Sequence, residues 1–203
     1  MKSNRKVKIK NLLFDIGGVI ILSKKFNFSK FERKWSLPRG TVKEIVDSCF
    51  EKMSLSKDFN LRRYFLDNFS HLLSFKRYQE ITKQIFKNER VNKTLIRWIQ
   101  KKKKNYIICA LTNNTAILNR LLKKKFQIYD IFDCIFNSAE IGLSKLEPNF
   151  FKYVLREIKA KPKECLFIDN NSGNIKIAKK LGFASTLFIN NKDFFAKIDR
   201  FYI

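Results

Sequence analysis

Asp15 is the first residue whose setting in the chain suggests chemistry. It comes directly after the strand-like run 9–14, and Gly17 and Gly18 follow it closely. In an open parallel sheet the reactive groups lie beyond the carboxyl ends of the strands, where glycines let the backbone turn sharply and approach a ligand. The carboxylate of Asp15 is therefore the candidate reactive group. The alternative is that Asp15 is only a turn residue between two strands.

Polar side chains also follow two later strand-like runs. One run ends in Thr112 and Asn113, and the other ends in Asp169 and Asn170. Because parallel strands end at the same edge of a sheet, we expect these side chains to lie beside Asp15. The sequence thus predicts one polar site assembled from three strand ends.

Strands and helical patterns alternate along the chain beyond residue 88. This alternation predicts right-handed β-α-β units and an α/β fold, with a Rossmann-like parallel sheet covered by helices on both faces. We expect residues 1–22 and 89–203 to form this core domain.

Residues 23–88 have a different pattern, with apolar residues at helical spacing in about four stretches. The segment is predicted to be an inserted, small helical cap domain. Thr41 and Glu44 have the spacing of a capping box, which would begin one of its helices. His71, the single histidine, is predicted to lie at the surface of this segment. A further helix is expected to include Val91.

Length and composition predict a soluble, cytoplasmic protein without a membrane partner. The 203 residues, 45% of them apolar, can form one core domain with a sizeable insertion. No run is long and apolar enough to span a membrane, and the basic stretch from Met1 to Lys10 lacks the features of a signal peptide. The four scattered cysteines predict buried, reduced thiols rather than disulfides or a metal site.

The net charge of the chain is strongly positive. The 43 lysines and arginines outnumber the 18 acidic residues, which gives a formal charge of +25. Such a charge attracts polyanions, including nucleic acid and phosphorylated metabolites. The lysines are dispersed along the whole chain, however, and abundant Lys, Asn, Ile and Phe are typical of an A+T-rich genome. We favour compositional bias and keep nucleic-acid binding as the less favoured alternative.

Four sequence motifs occur in order along the chain. They are Phe-Asp-Ile-Gly-Gly-Val-Ile at 14–20, Leu-Thr-Asn-Asn at 111–114, Ser-x-Glu-x-Gly-x-x-Lys-x-x-Pro at 138–148 and Phe-Ile-Asp-Asn-Asn-x-x-Asn at 167–174. Together they resemble the motifs of the haloacid dehalogenase superfamily, and the helical segment lies where that family has a helical cap. The similarity extends over about 9–189. It is closest to phosphatases that resemble sugar-1-phosphate phosphatases and the phosphatase domain of epoxide hydrolases.

This resemblance implies roles for the acidic residues and for one lysine. Asp15 would be the nucleophile that forms an aspartyl-phosphate, and Lys145 would be a fixed cation beside it. The implied cofactor is Mg²⁺, bound by Asp15, by the backbone carbonyl of Gly17 and by the acidic motif Asp169-Asn170.

The resemblance also implies a phosphate-binding set. Thr112 and Asn113 would hold phosphate oxygens at a strand end that opens a helix, and Gly17 and Lys145 would complete the set. Three further polar residues have weaker claims to a role in the site: Ser138, Glu140 and Asn174.

Two residues depart from the pattern of the family. Gly17 stands where many relatives have a second aspartate that protonates the leaving group, and such general acid catalysis is worth about 10²- to 10⁴-fold in rate. Asn170 stands where the second aspartate of the acidic motif is usual. Its amide oxygen carries no charge, so the affinity for Mg²⁺ should fall unless Asp169 takes over the contact.

The leading prediction is a Mg²⁺-dependent phosphatase that hydrolyses the phosphomonoester of a small metabolite through an aspartyl-phosphate. One alternative is a catalytically weakened member of the family that binds a phosphorylated ligand, a nucleic acid or a protein partner. Another is a phosphatase that acts on nucleic-acid ends, which would bind polynucleotides in a salt-sensitive way.

Overall fold

A computed structural model describes residues 8–201 and residue 203 of the chain. The strands, in chain order, are β1 (Asn11–Phe14), β2 (Ile21–Ser23), β3 (Glu89–Val91), β4 (Ile107–Thr112), β5 (Cys134–Asn137), β6 (Cys165–Asp169) and β7 (Ala184–Leu187). The α-helices are α1 (Ser29–Lys34), α2 (Thr41–Met53), α3 (Leu61–Phe69), α4 (Phe75–Lys87), α5 (Lys93–Lys102), α6 (Leu118–Leu121), α7 (Ser138–Ile141), α8 (Pro148–Glu157), α9 (Ser172–Lys180) and α10 (Asn191–Ile198). A π-helical turn, Leu122–Phe126, continues α6.

Five strands form one parallel sheet in the order β5-β4-β1-β6-β7. The chain fills one side of β1 with β4 and β5, and then crosses to the other side to form β6 and β7. This reversal beside β1 is the topological switch point at which open α/β sheets bind ligands. The predicted Rossmann-like parallel sheet, covered by helices, is confirmed.

The alternation of side chains along β1 explains why helices cover both faces of the sheet. Leu12 and Phe14 point into one apolar cluster, and Leu13 points into the other. Helices α5, α6 and α10 pack on the first face, and α8 and α9 pack on the second. All three side chains are fully buried, so β1 has little freedom to shift, and the residue that follows it is held firmly.

Residues 23–88, which we call the helical insertion, contain α1 to α4. They begin at the last residue of β2, Ser23, and end just before β3, and these two strands pair with each other antiparallel. The insertion has an apolar cluster of its own, centred on Phe65, which contacts Phe69, Phe75 and Tyr78 through its ring. This separate cluster supports the predicted boundaries of the cap domain, which stay a prediction.

The predicted capping box at Thr41 is wrong. Thr41 is already the first residue of α2, and Gly40 precedes it with a φ of 94°. The buried carboxylate of Glu32 in α1 accepts hydrogen bonds from the backbone N–H groups of Gly40 and Val42, at 3.0 and 3.2 Å. The free N–H groups at the start of α2 are thus satisfied by a neighbouring helix rather than by the local sequence.

The helix predicted around Val91 begins later than expected, because Val91 belongs to β3 and α5 starts at Lys93. Val91 pairs with Ile21 across the short two-stranded sheet. Val91 lies four residues before Leu95, which is a helical spacing, but it packs against the same apolar cluster as part of a strand.

The structure can be compared with the expectations for the cysteines, for His71 and for membrane-spanning helices. All four cysteines are free, and three of them are buried. His71 is exposed. Within the described residues, none of the helices has the length and apolar character needed to cross a bilayer. Most of the basic stretch at the start of the chain, residues 1–7, lies outside the described residues.

Candidate active site

Three strand ends bring polar side chains to the floor of one cavity, as the sequence predicted. Phe14 pairs with Ala110 in β4 and with Ile168 in β6, so Asp15 and Asp169 emerge at the same edge. The backbone N–H of Asp15 donates to the carbonyl oxygen of Ile168 at 2.8 Å. The cavity above this edge has a volume of about 330 Å³, and its lining includes all seven of the predicted site residues. They are Asp15, Gly17, Thr112, Asn113, Lys145, Asp169 and Asn170.

Lys145 lies between the two aspartates and is bonded to both. Its Nζ is 2.5 Å from Asp15 Oδ1 and 2.9 Å from Asp169 Oδ2. None of these three side chains is more than 9% exposed. Two carboxylates and one ammonium give this buried cluster a formal charge of −1. A buried ion cluster is costly to desolvate unless its hydrogen bonds are satisfied, which marks these residues as a candidate for function rather than for stability.

The pKa values within the cluster follow from burial and from the neighbouring charges. Burial raises the pKa of Asp15 to about 6, although the ammonium of Lys145 acts in the opposite direction. Burial alone would lower the pKa of Lys145, but the carboxylates of Asp15 and Asp169 outweigh it and hold that pKa above its ordinary value. Lys145 is therefore a permanent cation at neutral pH.

Asp169 is the most enclosed residue of the cluster and is fully buried. Its Oδ1 accepts from the backbone N–H of Asn171 at 2.7 Å, and its Oδ2 accepts from Asn174 Nδ2 at 3.0 Å as well as from Lys145. The Oδ1 of Asn174 is buried and lacks a hydrogen-bond partner within the described part of the chain. These contacts orient Asp169 toward Lys145, and Asn174 has a larger part in the site than its sequence position suggested.

Asn170 turns its side-chain amide toward two oxygen atoms. One terminal amide atom lies 3.1 Å from both the Gly17 carbonyl oxygen and Asp15 Oδ2. Because both neighbours are acceptors, the amide nitrogen satisfies this position in the absence of a cation. A Cβ on Gly18, whose φ is +80°, would come within 2.2 Å of the Asn170 amide. Only glycine at position 18 therefore allows this approach.

The same three groups can serve as metal ligands when the amide turns its oxygen inward. Neighbouring ligands of an octahedral Mg²⁺ ion are about 3 Å apart, since each lies about 2.1 Å from the metal. The 3.1 Å spacing of the Asn170 amide to Gly17 and Asp15 fits this separation. The donor set consists of oxygen atoms, which Mg²⁺ prefers. The assignment of Asp15, Gly17, Asp169 and Asn170 to a metal stays a prediction.

Thr112 and Asn113 line the cavity, but the expectation of a helix directly behind them is wrong. The next helix, α6, begins at Leu118 and has only four residues. A loop held by side chains replaces it, since Asn113 Nδ2 donates to Ser144 Oγ at 2.9 Å and Asn113 Oδ1 accepts from the backbone N–H of Lys145 at 2.9 Å. Asn113 thus positions Lys145 through the backbone.

The other two residues with weak sequence claims have local roles. Ser138 is buried, and its hydroxyl accepts from the backbone N–H of Asn114 at 3.1 Å. Glu140 is exposed and accepts from Asn119 Nδ2 at 2.8 Å. Ser138 therefore supports the loop after β4, and Glu140 lies outside the cavity lining.

Sequence reasoning missed the outer wall of the cavity. Phe50 of α2, Phe86 of α4, Glu89 of β3 and Leu146 also line the cavity, as do the amides Asn114, Asn171 and Asn174. Burial raises the pKa of the Glu89 carboxyl, against the influence of Lys125, whose Nζ is 3.4 Å away. Helical periodicity identified the helices of the insertion, but not which of their residues face Asp15.

The match to a protein family agrees with this fold and site. A family model described as haloacid dehalogenase-like hydrolase matches residues 9–182. The chain therefore belongs to the haloacid dehalogenase-like hydrolases, and it is a hydrolase of that family as its four motifs predicted.

The sequence of this chain is similar to those of two kinds of curated protein. Bifunctional epoxide hydrolase 2 of Mus musculus is 26% identical over 161 residues, which cover 77% of this chain and 27% of the mouse protein. Across three mammalian proteins of that name the chain covers only 16% to 35% of their length. D-ribitol-5-phosphate phosphatase of Bacteroides thetaiotaomicron is 27% identical over 188 residues, which cover 86% of this chain and 89% of that protein.

A solved structure confirms the fold. It is a HAD family enzyme of Bacteroides thetaiotaomicron in complex with magnesium and inorganic phosphate. It superposes with a TM-score of 0.69 and is 23% identical, covering 88% of this chain and 93% of that one.

Proposed function

We propose that this chain is a Mg²⁺-dependent phosphatase that hydrolyses a small phosphomonoester through an aspartyl-phosphate. The observation that carries the proposal is the placement of Asp15 against the buried Nζ of Lys145 on the floor of an open cavity. The name of the Bacteroides relative, a sugar-alcohol phosphatase, and the magnesium and phosphate bound by the structural neighbour support the same chemistry.

Asp15 is the nucleophile of the proposed reaction. Its Oδ2 faces the Asn170 amide and is assigned to the metal, so its Oδ1 is the oxygen that attacks phosphorus. The new oxygen–phosphorus bond replaces the bond to the leaving alcohol, and water then attacks phosphorus and releases Asp15. A carboxylate becomes an effective nucleophile when it is held in line with the phosphorus atom. The fully buried strand β1 supplies that rigidity.

Lys145 and the loop after β4 hold the phosphoryl group. The ammonium of Lys145 lowers the repulsion between Asp15 and the phosphate dianion and stabilises the charge that develops during transfer. Thr112 and the backbone of Asn113 lie beside it in the cavity wall and supply hydrogen-bond donors. Asp169 fixes the position of Lys145 through its 2.9 Å bond.

The proposed cofactor would be held by Asp15 Oδ2, by the Gly17 carbonyl oxygen and by the amide oxygen of Asn170. When bound, Mg²⁺ would neutralise phosphate charge and act as a Lewis acid on the transferring group. Asp169 retains binding capacity on Oδ1, which accepts a single hydrogen bond. We keep it as a predicted ligand through water.

Glu89 is the acid available to protonate the leaving oxygen. Gly17 has no side chain for this task, and Glu89 lines the same cavity. Its raised pKa favours retention of a proton. The helical insertion would act as a cap, because its Phe50 and Phe86 line the cavity and would exclude water from it when the insertion closes over a bound substrate.

The test is release of phosphate from para-nitrophenyl phosphate with and without Mg²⁺. We expect metal-dependent turnover in the wild type and a loss of about 10³-fold or more in Asp15→Asn, as is typical for removal of a nucleophile. Asp67→Asn, an exposed aspartate of α3, is the matched control and should retain full activity. Equal activity in Asp15→Asn would remove Asp15 from the role of nucleophile.

Asn170 favours a second candidate function, in which the chain binds a phosphorylated ligand without turnover. In the metal-free arrangement its amide donates to both oxygens that a metal would need. Protection from thermal unfolding by inorganic phosphate, without turnover at any Mg²⁺ concentration, would support this candidate instead.

A further inference from the structure

The outer part of the active-site cavity is apolar. Its floor is lined by charged and amide side chains, but Phe50, Phe86 and Leu146 form the wall above them. Phe50 is 37% exposed and Leu146 is 61% exposed. Burial of exposed apolar surface is favourable, so a ligand whose apolar part covers these side chains would bind more tightly.

A second, smaller space adjoins this cavity and is apolar as well. It has a volume of about 40 Å³ and shares Gly17, Phe86, Glu89 and Asn114 with the larger cavity. The remainder of its lining is almost entirely apolar: Ile16, Ile21, Ser23, Leu118, Leu121 and Phe126. Small apolar cavities of this kind favour hydrocarbon groups over water.

The polar side chains that line the cavity, Asn114, Asn171 and Asn174 among them, all lie outside the helical insertion, so the insertion offers no hydrogen-bonding side chain to a sugar or a polyol. Among the described residues, Phe50 and Phe86 are the parts of the helical insertion that line the cavity. Asn113 is bonded to Ser144 and to the backbone of Lys145. Glu89, 3.4 Å from Lys125 Nζ, is committed to the leaving oxygen in the reaction proposed above. Hydroxyl groups that lose water without gaining a protein partner weaken binding.

We propose that the substrate is the phosphomonoester of an apolar alcohol, an aryl or alkyl phosphate, rather than a sugar or polyol phosphate. This inference rests on the phosphatase function proposed above. The phosphate lies on the floor beside Asp15 and Lys145, and the apolar body of the alcohol contacts Phe50, Phe86 and Leu146. The chain would then differ in substrate class from its relative that is named for D-ribitol 5-phosphate.

The experiment compares n-pentyl phosphate with D-ribitol 5-phosphate. The two esters have the same carbon chain length, and both release a primary alcohol, but the second carries additional hydroxyl groups. We expect kcat/KM of the wild type to favour n-pentyl phosphate by about 10- to 100-fold, the range that pocket contacts of this size supply. Phe50→Ser and Leu146→Ser should each reduce the preference about tenfold, chiefly through KM.

Two controls separate the outer wall from the floor. Leu66→Ser changes a leucine of α3 that is 45% exposed and lies outside the cavity lining, so the preference should not change. The inhibition constant of inorganic phosphate should be the same in the wild type, Phe50→Ser and Leu146→Ser, because the phosphate site lies on the floor. A changed inhibition constant would contradict the proposal that the wall binds the alcohol and the floor binds the phosphate.

The outcomes distinguish this inference from the function on which it depends. Turnover of both esters with equal kcat/KM, or a preference for D-ribitol 5-phosphate, would overturn the apolar substrate class and leave the phosphatase function intact. Phosphate release from neither ester nor from para-nitrophenyl phosphate would overturn the phosphatase function itself.

Discussion

The floor of the cavity consists of charged and amide side chains bonded to one another, whereas the outer wall consists of large apolar side chains with exposed surface. Lys145 bonds Asp15 and Asp169 while all three are nearly inaccessible to water. Phe50 and Leu146, by contrast, are 37% and 61% exposed and pack incompletely. Gly17 lines the same cavity, and the space that a Cβ at this position would occupy is open.

This difference separates two tasks. The floor is held by the ends of a buried sheet, so its geometry can be precise enough for a reaction at phosphorus. Phe50 and Phe86 of the wall are carried by helices with their own core around Phe65, so these two residues can change without disturbing the floor, whereas Leu146 lies in the loop beside Lys145. We expect changes in the floor to alter kcat and stability, and changes in the wall to alter the choice of leaving group.

Replacement of Lys145 should cause the largest loss of stability and activity. Lys145→Met leaves two buried carboxylates without their shared cation, which costs about 3–5 kcal/mol of stability. Activity should fall by at least about 10³-fold, because the group that binds the phosphoryl charge is lost. Urea unfolding monitored by circular dichroism measures the first effect. Lys34→Met, in the exposed pair with Glu80, should change stability by less than about 1 kcal/mol. A Lys145→Met protein as stable as the wild type would show that Lys145 does not stabilise the two buried carboxylates.

Asp15→Asn should have the opposite effect on stability while abolishing turnover. Burial raises the pKa of Asp15 from 3.8 to about 6, so the folded state binds its proton more tightly than the unfolded chain. The stability that this group contributes is present below pH 4 and is lost as the pH rises through about 6. In metal-free protein at pH 7, the variant should therefore be more stable by about 1–3 kcal/mol.

The measurement is a series of thermal melts in EDTA between pH 4 and pH 8. The gap between Asp15→Asn and the wild type should shrink steadily as the pH falls. A variant that is less stable than the wild type at pH 7 would show that Asp15 has a structural role in the floor.

Glu89→Gln should lower kcat only for substrates with a poor leaving group. A lost general acid slows reactions with a poor leaving group by about 10²- to 10⁴-fold, but has little effect on a good one. We expect kcat to fall with n-pentyl phosphate and to stay nearly constant with para-nitrophenyl phosphate. Glu140→Gln, at an exposed glutamate outside the cavity lining, should leave both rates unchanged. An equal decrease with both esters would exclude Glu89 as the acid.

Asn170→Asp should produce the smallest change and move metal affinity and stability in opposite directions. The added charge should increase Mg²⁺ affinity about tenfold, since charged ligands bind this ion more strongly. The metal-free protein should lose about 1 kcal/mol, because a carboxylate cannot donate to Gly17 and Asp15. Melting temperatures in EDTA and across a Mg²⁺ titration measure both effects. Asn68→Asp, an exposed amide of α3, should show neither.

Much of the fold follows from local patterns. Buried runs such as 108–111 and 165–168 are strands because all of their residues are apolar. Pro148 occupies the first position of α8, where its missing N–H is harmless. Local patterns fail where a distant group takes over, as when Glu32 satisfies the start of α2 in place of Thr41.

The sequence by itself determined the parallel sheet, the family and the residues on the floor of the cavity, because strand ends and short motifs are local features of the chain. Only the tertiary structure decided that Lys145 bridges two aspartates, that the Asn170 amide faces Asp15, and that Phe50 and Phe86 form the outer wall. Helical spacing defines which residues share a face, but the direction of that face depends on how the helix packs against the rest of the molecule.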